Sequence, residues 1–180
     1  MYKILDKNIL GKANQIELVI FDVDGVLTNG GLILGESGEE YKVFHSRDGL
    51  GLVMLRESGC QVAVISGRSS SIVSERMTAL GIEYVYQGQN DKGKALENLL
   101  DKLGIDAQST AYVGDDCVDL PAMRRVGLAI AVADAHPLVI ENAHWVTREN
   151  GGRGAAREVC ELIMYARGTL DSQIQHFLND

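Results

Sequence analysis

The sequence predicts an α/β protein: a doubly wound, mainly parallel sheet with a small β-hairpin inserted after the first strand. Three observations predict it. Short, continuous apolar runs alternate with stretches of helical periodicity, the pattern of buried parallel strands and their crossover helices. Gly, Asp and Ser gather where several of these runs end, the edge of such a sheet that hosts ligands. About twenty residues separate the first run from the first helical stretch, where two to six are usual. A chain of 180 residues suits one domain, and residues 1–180 are read as one.

The strands follow in order. Residues 18–21 (LVIF) form the first run, 62–65 (VAVI) the second, 82–86 the third, 110–113 the fourth and 128–132 the fifth; 144–147 make a short sixth. Between them lie the helices. Leu50, Val53 and Met54 share one helical face after Asp48. Ile72, Val73, Arg76, Met77 and Leu80 share another, closed by Gly81 as a C-terminal glycine. Ala95, Leu96, Leu99, Leu100 and Leu103 make the clearest stripe, closed by Gly104. Pro121 opens a short helix through Val126, and 155–166 form the last, with Val159, Leu162, Ile163 and Ala166 on one side. Right-handed crossovers then give the Rossmann-like arrangement, with helices on both faces.

The insertion at 30–45 breaks this rhythm. It reads as two short strands around a turn at Glu36, Ser37 and Gly38. A two-stranded hairpin is marginal in water by itself, so its apolar residues must pack either on their own domain or on another subunit. The tail at 168–180 is polar and reads as a mobile segment: ordinary terminal disorder or, with Gly151–Gly154, a closing element.

Composition excludes several functions. A net charge of −8 argues against a general nucleic-acid or anionic-membrane binder. Cys60, Cys117 and Cys160 form no CxxC pair, which excludes a disulfide scaffold and a CxxC zinc site. The apolar runs are far shorter than a membrane span. The first seven residues lack the apolar core of a secretory leader, so a cytoplasmic location is expected.

The strand ends carry the chemistry. Asp22 and Asp24 flank Val23 after the first strand, and Gly25 lets the chain turn away. Paired carboxylates at a strand end call for a cation or a proton. Ser66-Gly67-Arg68 follows the second strand as a hydroxyl, a glycine and a cation at a helix start; the serine is equally an ordinary N-cap. Lys92 and Lys94 start a helix, where lysine opposes the helix dipole and a binding role is favoured. Asp115, Asp116 and Asp119 follow the fourth strand, three acids in five residues suited to a hard cation. Carboxylate nucleophile, cation site and oxygen donors on one sheet edge are the parts of phosphoryl transfer. A phospho-acceptor signalling domain shares most of them, but has no need for a second acid at Asp24. His136 and His144 lack metal-ligand spacing and read as structural.

DVDGVLT at 22–28, Ser66, Lys92 and GDDCVD at 114–119 resemble, in order and spacing, the four motifs of the haloacid-dehalogenase superfamily of phosphatases. The hairpin in place of a large cap resembles its capless subclass. Residues 45–49 (HSRDG), 65–68 (ISGR), 132–137 (VADAHP) and 151–154 (GGRG) resemble the sugar-acid phosphatases within it, from about residue 15 to residue 168. The resemblance implies a cytoplasmic, Mg2+-dependent homotetramer joined through its hairpins, acting on the phosphate of an eight-carbon sugar acid in lipopolysaccharide synthesis. A nine-carbon or another small sugar phosphate would need the same catalytic residues. By this resemblance Asp22 is the nucleophile that forms an aspartyl phosphate, and Asp24 the acid and then the base. Mg2+ would lie on Asp22, the Asp24 carbonyl and Asp115, with Asp116 and Asp119 behind. Ser66 and Lys92 would hold the phosphoryl oxygens, and Thr28 would support the loop. Substrate contacts are expected from Asp24, His45, Ser46, Arg47, Asp48, Gly49, Ser66, Arg68, Arg76 and Lys92; Arg76 is otherwise a surface partner of Glu75 or Glu83.

Overall fold

The computed structural model describes residues 6–178. The expectation about a leader in residues 1–7 therefore falls mostly outside the described residues, as do the last two residues of the tail. Six strands make one sheet: β1 (Leu18–Phe21), β4 (Gln61–Ile65), β5 (Tyr84–Tyr86), β6 (Thr110–Gly114), β7 (Leu128–Ala131) and β8 (Trp145–Val146). Their order is β5-β4-β1-β6-β7-β8, and every neighbouring pair is parallel. The chain leaves β1 toward one edge and returns to β1's other side at β6, so the winding reverses beside β1, where α/β sheets open a cleft. β1, β6 and β7 are buried at every position, which is why they read as unbroken apolar runs rather than alternating ones.

Helices α1 (Lys7–Asn14), α2 (Ser46–Glu57) and α7 (Ala155–Ala166) pack together in one layer; α4 (Lys92–Leu103), α5 (Leu120–Met123) and α6 (Pro137–Asn142) form another. α3 (Ser71–Ala79) and α8 (Leu170–Gln175) complete the set. α4 ends as its sequence requires, with Gly104 left-handed at φ 66° and its N–H on the Leu100 carbonyl.

Several expectations need correction. α2 starts at Ser46, before Asp48, and its buried face is Gly49, Gly51, Leu52, Met54 and Leu55, while Leu50 is exposed. Two glycines carry that face because α7 comes close: a Cβ on Gly51 would lie 3.0 Å from the Arg157 Cα. α5 stops at Met123 rather than Val126. A helix unannounced by the sequence, α6, follows His136, whose side chain caps it by accepting from the Leu138 N–H at 3.2 Å. Part of the tail is helix α8, with Leu170 buried.

The insertion is the expected hairpin, β2 (Ile33–Leu34) paired antiparallel with β3 (Glu40–Tyr41). Its own domain does not cover it. Leu32, Ile33, Leu34, Tyr41 and Val43 are all at least half exposed, whereas Phe44 packs on the core. Among the described residues no helix is long and apolar enough to cross a membrane.

Candidate active site

β1 delivers Asp22 to the carboxyl edge, and the next six residues fold into a tight turn. The Val26, Leu27 and Thr28 N–H groups all donate to the Val23 carbonyl, at 3.3, 2.9 and 3.0 Å. None of these turn bonds uses the Asp24 carbonyl. The Thr28 hydroxyl braces the turn, donating to Val23 O and accepting from the Gly25 and Gly30 N–H groups. Gly25 has φ 98°, and a Cβ there would strike the Asp115 carboxylate; only glycine lets the two loops meet.

Asp22 is 5% exposed, and its Oδ1 lies 2.8 Å from Lys92 Nζ. Lys92, the first residue of α4, is buried and also donates to Asp119 Oδ1 at 2.7 Å. Burial pulls the Lys92 ammonium down, but the two carboxylates outweigh it and hold its pKa above the ordinary value. Asp119 is fully buried. Its Oδ1 also accepts from the Tyr112 hydroxyl, and its Oδ2 from the N–H groups of Asp115 and Asp116.

A divalent cation fits these residues. Asp22, Asp115 and Asp119 each bring one carboxylate oxygen within 4.8 Å of the others. Both Asp119 oxygens are already engaged by protein donors, so Asp119 organises the loop, and Asp22 and Asp115 are the two that could ligate a cation directly. Asp115 Oδ1 is buried without a hydrogen-bond partner, a cost that oxygen coordination would remove. Burial and crowding raise both carboxyls. Burial, then the Asp119 charge, push Asp22 up to about 6 against the pull of Lys92. Burial, then Asp22 and Asp119, push Asp115 up to about 8.

One cleft of about 420 Å³ gathers Asp22, Asp24, Ser66, Arg68, Lys92 and Asp115. Ser66 is buried at the end of β4, fixed by its N–H on Tyr86 O and by the Gln89 N–H on its carbonyl. Gln89 and Asn90 line the same cleft. They were missed in the sequence, although they sit in the short polar loop that precedes Lys92.

The remaining expected substrate residues do not reach this cleft within one chain. Asp48 is buried and caps α7: it accepts from the Gly154 N–H at 3.1 Å and the Arg157 N–H at 2.8 Å. Arg47 lines a separate cleft with Arg157, Glu149 and Glu161. Arg76 lies over the Phe44 ring at 6.0 Å and against Gly49, in a crevice it shares with His45. Among the described residues it makes no ion pair with Glu75 or Glu83. Ser46 is the exposed first residue of α2. His45, Arg47 and Asp48 follow the hairpin in sequence, but the start of α2 places them against α3 and α7. Lys94 is exposed, and only its backbone is engaged, by the Asp91 cap.

Gly151–Gly154, expected as part of a closing element, packs behind the Asp22–Thr28 turn instead. Gly152 N–H donates to Val26 O at 2.8 Å, and a Cβ on Gly151 would collide with the Gly25 carbonyl. His144 accepts from the Ala129 N–H at 2.9 Å and serves the sheet.

Two hairpin residues were not singled out in the sequence and stand at the cleft. Lys42 Nζ contacts Asp24 Oδ1 and lies 3.0 Å from Glu40 Oε1. Arg68 closes the group, 3.1 Å from Glu40 and 4.0 Å from Asp24. A basic residue in a hairpin carries no sequence signal for such a place.

A doubly wound sheet with a buried carboxylate, an acid two residues on and a buried lysine defines a phosphoryl-transfer hydrolase. The chain belongs to the haloacid dehalogenase-like hydrolases, whose family model matches residues 82–159. The 3-deoxy-D-manno-octulosonate 8-phosphate phosphatase of Escherichia coli is 49% identical to it over 170 residues, 94% of this chain and 90% of that protein. The crystal structure of the phosphatase of that name from Yersinia pestis superposes with a TM-score of 0.92 at 47% identity, covering 93% of this chain and 90% of the other. The Moraxella catarrhalis structure, in complex with magnesium ion, phosphate ion and a KDO molecule, gives 0.94 at 43% identity, covering 96% of this chain and 99% of the other.

Proposed function

We infer that this chain is a Mg2+-dependent phosphomonoesterase that hydrolyses 3-deoxy-D-manno-octulosonate 8-phosphate to the free sugar acid and phosphate, in lipopolysaccharide synthesis. The observation that carries the chemistry is Asp22, a buried carboxylate 2.8 Å from Lys92 and beside the unpartnered Asp115 oxygen. The near-half identity to named phosphatases over almost the whole chain supports the substrate.

Asp22 attacks phosphorus as the P–O bond to the sugar breaks, giving an aspartyl phosphate. Asp24 gives its proton to the departing sugar oxygen and takes one from the attacking water in the second step. Lys92 holds Asp22 in line and offers its positive charge to the phosphoryl oxygens; Ser66 offers a hydroxyl on the other side. Arg68, at the cleft mouth, suits the substrate carboxylate. Asp22, Asp115 and the Asp24 carbonyl would hold Mg2+, which when bound offsets the repulsion between a carboxylate nucleophile and an anionic phosphate.

The exposed apolar hairpin fits an interface between copies of the chain, and a homotetramer built through it is the proposed assembly. It would bring a neighbour's arginines toward a cleft that one chain leaves open. A single domain over residues 1–180 and a cytoplasmic location complete the reading.

The test is phosphate release from this substrate, with and without Mg2+, against a panel of sugar phosphates including a nine-carbon acid. Selective, Mg2+-dependent release is expected. Equal rates across the panel would remove the named substrate, and stable phosphorylation without turnover would favour a signalling role.

A further inference from the structure

The hairpin holds a charged side chain where none is expected. Lys42 directly follows β3, and its neighbours Tyr41 and Val43 are 56% and 61% exposed. Yet the Lys42 side chain is only 1% exposed. A lysine is rarely buried to that degree unless it is paired, and here its partner is Asp24. Glu40, on β3 itself, meets Lys42 with one oxygen and Arg68 with the other. The Lys42 and Arg68 cations hold the Glu40 carboxyl below its usual range. Acid and base alternate around a closed group of four: Asp24, Lys42, Glu40, Arg68.

The group joins three segments: the turn after β1, the hairpin and the loop after β4. The bonds that shape the turn run to Val23 O and the Thr28 hydroxyl, and none of them fixes the Asp24 carboxylate. Asp24 must nevertheless meet the sugar oxygen within hydrogen-bond reach as the ester breaks.

We propose that Lys42 is a positioning residue for Asp24, braced by Glu40, so that the hairpin sets the aim of the general acid. The inference rests on the phosphatase reading of Asp24. In the step concerned, the Asp22–phosphorus bond forms and the phosphorus–sugar oxygen bond breaks. The Asp24 proton moves to that oxygen while Lys42 keeps the carboxyl directed at it. Lys42 touches neither phosphorus nor nucleophile, so its loss should be felt only where the leaving group needs a proton.

The experiment compares wild type, Lys42→Met and Lys42→Arg as full chains with Mg2+, on two substrates. One is the 8-phosphate of the sugar acid, whose leaving oxygen would be a strongly basic alkoxide without the Asp24 proton. The other is p-nitrophenyl phosphate, whose leaving group departs unprotonated and is followed in the first turnover. Lys42→Met should lose about 10- to 100-fold in kcat on the sugar phosphate, with KM within about twofold. Its loss in first-turnover release of p-nitrophenolate should be at least about fivefold smaller, and Lys42→Arg should recover most of the activity. Glu40→Gln should show the same split with smaller loss, which keeps the test open if Lys42→Met does not fold. Equal losses on both substrates, a rise in KM alone, or no loss would each overturn the proposal. A wild type that hydrolyses neither substrate would overturn the phosphatase reading instead, and this proposal with it.

Discussion

Asp22 and Asp24 are two residues apart and are held in opposite ways. Asp22 belongs to the sheet. Its backbone N–H continues the β1–β6 pairing to Val113 O, and its carboxylate is locked by Lys92 at the start of α4. Its own side chain is buried, and burial with a neighbouring carboxylate pushes its pKa to about 6. Asp24 belongs to the cleft mouth, where its partners are Lys42 on the hairpin and the half-exposed Arg68. The proposed nucleophile thus inherits the rigidity of the core, while the carboxylate of the proposed acid contacts a hairpin of two-residue strands. The difference suits their tasks. A nucleophile must hold one line of attack, whereas the acid must serve a departing sugar and then an incoming water.

The comparison can be broken hardest at Asp22. Asp22→Asn should reduce turnover by at least about 10⁴-fold while circular dichroism and the melting transition stay native-like. Normal turnover in that variant would remove the nucleophile assignment. The next effect is on stability. Lys92→Ala leaves Asp22 and Asp119 buried without their cation, which should cost about 3–5 kcal/mol. Thermal unfolding should then fall by roughly 6–20 °C for a chain of this size; a shift of under about 2 °C would mean the site relaxes freely.

Cation binding gives a smaller and pH-dependent effect. Asp22 and Asp115 stand at about 6 and about 8 in the metal-free fold, above their ordinary value of 3.8. The folded state therefore binds more protons than the unfolded one across that window. The stability carried by their protonated forms is present below the ordinary value and is lost as pH rises through the folded values. The metal-free protein should melt progressively lower from pH 4 to pH 8 on this account. Mg2+ opposes the same repulsion, so its stabilising increment should be larger near pH 8 than near pH 5. An increment that shrinks as pH rises would contradict the assignment of Asp115. The smallest effect on the chain itself should come from the hairpin. Leu34 is 67% exposed, so Leu34→Ser should change monomer stability by no more than about 0.5 kcal/mol. Sedimentation should instead show loss of the proposed tetramer; unchanged assembly would move the interface elsewhere.

Much of this was legible because it is local. Residues 18–21 were read as a strand with the bounds that β1 has, since a strand buried on both faces leaves an unbroken apolar run. The glycine after α4, the Asp22–Gly25 turn and the acids after β6 were likewise written in adjacent residues. The buried face of α2 was misread because hydrophobic periodicity does not register glycine, and Gly51 is buried by the approach of α7. α1 carries little signal in the sequence, because only Ile9 and Ala13 of its eight residues are buried; its contacts with α7 make it a helix worth forming.

The sequence by itself determined the parallel sheet and the residues placed at the strand ends, because strand periodicity and loop chemistry act over a few neighbouring residues. Only the tertiary structure decided which charges meet. Within one chain Asp48 caps α7, and Arg47 and Arg76 line other clefts. Lys42 came to Asp24, eighteen positions away, because a folded hairpin returns the chain upon the turn it left. Charge pairing across such distances depends on where rigid elements bring the chain, and that is settled by packing of the whole molecule.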